Sequence, residues 1–218
     1  MRKLIQGIVD FRKGLTEERR ELFAKLALGQ KPDALFIACS DSRVVPNLFA
    51  STNPGDLFVI RNIGNLVPPP TPTEEDNSVP AAIEFSLSTL NVSNIIVCGH
   101  SDCGAMHALV AGIDTVCCPH LKSWLKYGEE SRRKVESGMI LDPSLTVENQ
   151  ISQMNVVEQM EHIKSYPSVQ ERMEKKKLGV HGLWFDIAHA DVYCYEQNQN
   201  RFVLIDEEEA DQIFKRLN

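Results

Sequence analysis

Three short runs carry no charged side chain: ALFIA (34–38), LFVI (57–60) and NIIVC (94–98). Each is too short for a buried helix and suits a strand covered on both faces. Helical patterns separate them. TEERRELFAKLALGQ opens at Thr16, brings Leu22, Phe23, Leu26 and Ala27 to one side, and stops at Gly29. The loop VPPPTPTEEDNS is too rich in proline to continue a helix or a central strand. Ser78 is expected to cap the next helix, VPAAIEFSLSTL, with Pro80 in its first turn. Strands alternating with helices predict an α/β fold: a mostly parallel central sheet with helices on both faces.

The second half is mainly helical. PHLKSWLKYGEESRRKV is amphipathic, SLTVENQISQMNVVEQMEHIKSY continues helical until Pro167, and a brief helix is expected to end at Gly179. VHGLWFDI, DVYCYE and RFVLID then read as strands, the last two as a hairpin or antiparallel edge. EEEADQIFKRLN closes as a helix whose acids come first and bases last, matching its dipole. With no repeat or linker in 218 residues, the expectation is a single domain, 1–218, with an N-terminal helical arm of about 1–28.

A net charge of −7 leaves no electrostatic footprint for nucleic acid or anionic lipid. No run approaches the ~18 apolar residues of a membrane span. The opening MRKLIQGIVDFRKG is broken by Asp10, Arg12 and Lys13, so it reads as an amphipathic helix rather than a targeting segment. Its stripe of Leu4, Ile5, Ile8, Val9 and Phe11 is expected to pack on the body or on a partner chain, and the protein to be cytoplasmic. Six cysteines in such a chain are poor disulfide material. Cys98 and Cys194 fall inside strand patterns. Cys117 and Cys118, beside His120, have no fourth ligand nearby and read as an accidental pair.

Cys39 and Cys103 remain. CSDSR (39–43) ends the first strand and GHSDC (99–103) the third, so potential ligands sit just past the carboxyl ends of buried strands. Open parallel sheets bind ligands there. If the two strands are neighbours, Cys39, His100 and Cys103 converge as a three-ligand set suited to zinc, with the fourth position open. H-x-x-C by itself is equally an ordinary turn histidine beside a packing cysteine. C-x-D-x-R on a second strand end, with Asp41 and Arg43, favours the metal.

These residues resemble the β-class carbonic anhydrases, which carry C-x-D-x-R on one strand end and H-x-x-C on the next. GQKPDALFIACSDSRV, PGDLFVIRNIGNLVPP, AAIEFSLSTLNVSNIIVCGHSDCGA and VHGLWFDI are all similar to that family. The resemblance implies reversible hydration of CO2 to bicarbonate and a proton by zinc-bound hydroxide. One Zn2+ per chain would be held by Cys39, His100 and Cys103, in a homodimer or homotetramer with the site near the interface. Phe58 and Ile63 would line the CO2 pocket and Gln30 would hydrogen-bond substrate. The Gly104 N–H, at a helix start, could assist a bicarbonate oxygen.

Two thiolates cancel the formal charge of the ion, so the nucleophile is expected at or above neutral pH. An ionised Asp41 only accepts hydrogen bonds and would orient that nucleophile, while Arg43 holds the carboxylate in a bidentate pair. Some departures stand out. Phe85 replaces a tyrosine of plant-type relatives, and Ala105 the second glycine of the commoner C-G-G. Phe36, Arg61 and Phe185 stand where some bacterial relatives build a regulatory bicarbonate site from tryptophan, arginine and tyrosine. Two rival readings use the same residues: CS2 or COS hydrolysis, and a non-catalytic zinc protein with Asp41 as fourth ligand.

Overall fold

The sheet follows from the alternation of apolar strands and helices. The structure, a computed structural model, describes residues 1–70 and 77–217; the central part of the proline-rich loop, 71–76, lies outside them. Among the described residues, the strands are β1 (Ala34–Cys39), β2 (Leu57–Asn62), β3 (Asn94–His100), β4 (Gly179–Asp186), β5 (Asp191–Glu196) and β6 (Arg201–Leu204). They form one sheet in the order β2-β1-β3-β4-β5-β6. Pairing is parallel from β2 through β4 and antiparallel for β5 and β6.

Two helices, α1 (Arg2–Lys13) and α2 (Glu17–Leu26), precede the sheet. A short α3 (Pro46–Phe49) links β1 to β2, and α4 (Ser78–Ser88) links β2 to β3. After β3 come α5 (Gly104–Ala111), α6 (Pro119–Leu125), α7 (Glu129–Glu136), α8 (Val147–Lys164) and α9 (Pro167–Glu174). The last helix is α10 (Glu207–Leu217).

Alternation along β1 divides the core. Leu35 and Ile37 join Ile83, Ile95, Val97, Val156 and Ile163 on one face, while Phe36 and Ala38 join Cys98 and Phe185 on the other. Leu35 and Ile37 are fully buried, each contributing about 1.5–3 kcal/mol of transfer free energy. Helix α8 approaches the sheet most closely over two glycines. A Cβ on Gly99 would meet Val156 Cγ2 at 2.7 Å, and one on Gly182 would meet Met160 Sδ at 2.6 Å.

Several elements differ from the sequence expectation. LFVI is only half-buried, because β2 is the sheet edge and has a strand on one side alone. Ser78 is the first residue of α4 and Asn77 precedes it as N-cap. The pattern over 119–136 breaks into α6, a 3-10 turn (Lys126–Gly128) and α7. Gly128 packs there so tightly that a Cβ would meet Leu109 Cδ1 at 2.9 Å. Helix α9 ends at Glu174, Lys176 takes a left-handed φ of 53°, and Gly179 opens β4 instead of closing a helix. Thr16 does cap α2, its Oγ1 accepting from the Arg19 N–H at 3.3 Å. Helix α1 buries no residue, so its apolar stripe lies uncovered by the chain's own body.

Candidate metal centre

β1 and β3 are direct neighbours, so Cys39 and His100 end on the same edge of the sheet. Beyond β3 the chain makes one tight turn, with Asp102 at a left-handed φ of 55°, and Cys103 then leads into α5. The ligand atoms of Cys39, His100 and Cys103 come within 4.8 Å of one another, and all three residues are buried. The two sulfurs are 4.0 Å apart and both thiols are free, far outside the ~2.05 Å of a disulfide.

His100 has its tautomer set by its neighbour. Nδ1 lies 2.8 Å from the Ser101 carbonyl oxygen, which can only accept, so Nδ1 carries the proton. The lone pair is left on Nε2, which is buried and has no hydrogen-bond partner among the described residues. Leaving such a group unsatisfied costs about 1–3 kcal/mol. A metal ion between the imidazole and the two thiols removes that cost. Two sulfurs and one imidazole nitrogen match the donor preference of zinc.

Charge in the pair of thiols is unevenly placed. Cys39 has its pKa drawn well down, chiefly by the Cys103 S–H and, against the opposing effect of burial, also by the Gly64 N–H. The Gly64 N–H points at Cys39 Sγ from 3.4 Å. Cys103 is pushed far up, first by that same pairing with Cys39 and then by burial. The site thus carries one thiolate ready for a cation and one proton that a cation must displace.

The Gly64 turn is built for this approach. Asn62 bridges it with its side chain, Oδ1 accepting from the Leu66 N–H and Nδ2 donating to the Leu66 carbonyl, both at 2.9 Å. Gly64 has φ 75°, and a Cβ there would stand 2.9 Å from Ala105 Cβ, so Ala105 packs directly on the turn. Helix α8 fastens the same loops from behind. Ser152 Oγ donates to the His100 carbonyl at 2.7 Å and accepts from Trp184 Nε1 at 3.1 Å, while Asn155 Nδ2 donates to the Gly64 carbonyl at 3.0 Å.

Asp41 and Arg43 flank the centre. Arg43 Nε donates to Asp41 Oδ1 at 3.0 Å and Nη2 to Oδ2 at 2.8 Å, a parallel pair, and the Arg43 backbone N–H adds a third bond to Oδ1 at 2.9 Å. The guanidinium holds the Asp41 carboxyl well below the usual carboxylate range. Arg61 donates to the Cys39 carbonyl from Nε and Nη2 and to the Asp41 carbonyl from Nη2.

The remaining expected site residues divide. Ile63 precedes Gly64 in the turn at Cys39, is 45% exposed, and its carbonyl accepts from Trp124 Nε1 at 2.8 Å. Gly104 follows Cys103 and opens α5, but the amides that favour the Cys103 thiolate are those of Met106 and Ala105. Phe58 lies elsewhere, paired in register with Leu35 near the amino end of β1, its ring 5.8 Å from that of Phe85. Gln30 is exposed before β1 begins, at the opposite end of that strand from Cys39. Within one chain, neither Phe58 nor Gln30 reaches the thiols, since even the four residue steps of strand from Leu35 to Cys39 span about 13 Å. Cys117, Cys118 and His120 are exposed and join no metal-ligand cluster among the described residues. Sequence reasoning missed Asp102, Asn149, Ser152 and Asn155, which act from a turn and from α8 and carry no motif.

A family model described as carbonic anhydrase matches residues 34–192, the whole span from the first strand into β5. The chain belongs to the carbonic anhydrase family. It is 37% identical over 207 residues to the carbonic anhydrase of Pseudomonas aeruginosa, covering 95% of this chain and 93% of that one. Its structural likeness is to the β class. The β-carbonic anhydrase CcaA superposes with a TM-score of 0.87 at 36% identity, over 95% of this chain and 92% of that one. One of two tetrameric β-carbonic anhydrases from Sordaria macrospora gives 0.77 at 30% identity, over 88% and 95%.

Proposed function

We propose that this chain hydrates CO2 reversibly to bicarbonate and a proton, on one zinc ion held by Cys39, His100 and Cys103. The observation that carries the reading is the buried Nε2 of His100, partnerless among the described residues, beside the thiols of Cys39 at a strand end and Cys103 at the start of α5. Zinc, when bound, supplies a Lewis acid that brings the pKa of a water from 15.7 down toward about 7. The chain's residues do the rest. Asp41, kept ionised by Arg43, can only accept a hydrogen bond, so it would accept one from the attacking oxygen and leave a lone pair turned to the substrate. Arg43 fixes the direction from which that acceptor acts.

The non-catalytic alternative needs Asp41 as a fourth ligand, and both of its oxygens are already engaged by Arg43. Ile63 and Gly104 border the space where CO2 would approach. Gln30 and Phe58 serve the site only if a second subunit brings them to it. That fits a homo-oligomer, and so do the uncovered stripe of α1 and the exposed Phe85. No helix among the described residues is long and apolar enough to cross a membrane, and we place the enzyme in the cytoplasm, reading 1–218 as one domain with a helical arm. Stopped-flow assays of CO2 hydration, run beside COS and CS2 hydrolysis with and without chelator, test the assignment. The reading requires chelator-sensitive CO2 hydration to dominate.

A further inference from the structure

Arg43 donates in two directions. Beyond its pair with Asp41, Nη1 donates to Asp102 Oδ2 at 2.8 Å and Nη2 to the Asp102 carbonyl oxygen at 3.0 Å. Asp102 belongs to the other ligand turn, between His100 and Cys103. It is anchored in its own right. Its N–H donates to Asn149 Oδ1 on α8 at 2.8 Å, and its Oδ1 accepts from His107 Nε2 on α5 at 2.8 Å. Its backbone lies in the left-handed region, which costs most side chains energy and which aspartate tolerates better than most. Such a conformation persists only where its surroundings hold it.

A guanidinium bound to one carboxylate can swing on its aliphatic stem and carry that partner along. Held between carboxylates on two separate turns, it cannot move without breaking one of the pairs. The geometry points to Asp102 as a positioning residue: we propose that it locks Arg43 so that Asp41 keeps a single orientation toward the attacking oxygen. The inference rests on the reading of Asp41 as the acceptor for that oxygen. Asp102 is not one of the ligands, and with its side chain 63% exposed the ion pair by itself is weakened by solvent. Its contribution is geometric, tying the Cys39 turn to the His100–Cys103 turn.

The test uses the full zinc-loaded chain. Asp102→Gly keeps the left-handed turn and deletes the carboxylate, whereas Asp102→Asn tolerates the turn and keeps an acceptor for Arg43. Both should retain zinc. In the glycine variant, kcat per bound zinc should fall about tenfold, equivalent to ~1.4 kcal/mol, with KM within about twofold of the parent. The asparagine variant should recover part of that loss. A crystal structure of zinc-loaded Asp102→Gly should show the Arg43 side chain no longer in one position. Asp41→Asn is measured alongside. If it turns over like the parent, the reading of Asp41 fails and this proposal with it. If it is impaired while Asp102→Gly keeps full kcat per zinc, the positioning role alone is overturned. A fall in Asp102→Gly that merely follows lost zinc overturns it too.

Discussion

Arg43 meets Asp41 side-on, so that two nitrogens of one face two oxygens of the other at 3.0 and 2.8 Å. The pair sits two residues past a cysteine whose sulfur is 4.0 Å from a second thiol. A carboxylate occupied in this way is a fixed acceptor and a poor metal ligand. Among the described residues the centre therefore offers three protein donors, one short of the four of a structural zinc site.

Replacing Asp41 by asparagine preserves shape but presents amide hydrogens to the attacking oxygen. Zinc content should be unchanged, while hydration falls by about 10²-fold or more, or about 2.7 kcal/mol of transition-state stabilisation. Metal analysis and stopped-flow kinetics on the same sample check this. Near-parental turnover would remove Asp41 from the mechanism.

The ligand assignment has its own test. Cys39→Ser and Cys103→Ser each take one sulfur from a buried set, and a hydroxyl is a far weaker zinc donor than a thiolate. Purified variants should hold much less than one zinc per chain. Full occupancy in both would show that the metal sits elsewhere.

How far the sequence foretold this site depends on where each group lies. β1 and β3 were legible because both of their faces are buried, which leaves uncharged runs with ligands at the ends. Their adjacency brought Cys39, His100 and Cys103 together, as the reading required. Helix α8 was legible as a helix but not in its role. It buries Ser152, Asn155 and Gln159 to satisfy loop backbone, and polar residues turned inward erase the usual stripe. β2 was misjudged as fully buried, since an edge position is a property of topology and not of local composition. Asp102 carries no signal of its own in the sequence. Its positive φ and its hold on Arg43 arise only when two distant turns meet.

Zinc uptake should release protons in a predictable number. With Cys39 favoured as the thiolate and Cys103 as the thiol in the metal-free chain, each ion should displace about one proton near pH 6, before a zinc-bound water ionises. Binding is therefore favoured by raising the pH, with affinity increasing about tenfold per unit below neutrality. Calorimetry in buffers of different ionisation enthalpy measures the number. A value near two at pH 6, or pH-independent affinity below neutrality, would contradict the unequal thiols.

Bicarbonate should act only as a product. Arg61 directs Nε and Nη2 to the Cys39 and Asp41 carbonyls, and Phe185 is buried and stacked on Phe49 at 4.9 Å. Neither Phe36 nor Phe185 can donate a hydrogen bond, so an anion there would be held poorly. Because Asp41 stays ionised far below neutrality, it adds no limb to the pH–rate profile near neutral pH. Activity should rise with pH through one smooth titration, and bicarbonate inhibition should show a Hill coefficient of about one. A steep profile with cooperative inhibition would reveal regulation by another route.

The central claim is that CO2 hydration occurs on one zinc held by Cys39, His100 and Cys103. Zinc added back stepwise to the metal-free chain, with CO2 hydration followed by stopped flow at each step, tests it most directly. The account predicts no activity without metal, a linear rise, and a sharp break at one zinc per chain. Hydration by the metal-free protein, or none at full occupancy, would contradict it.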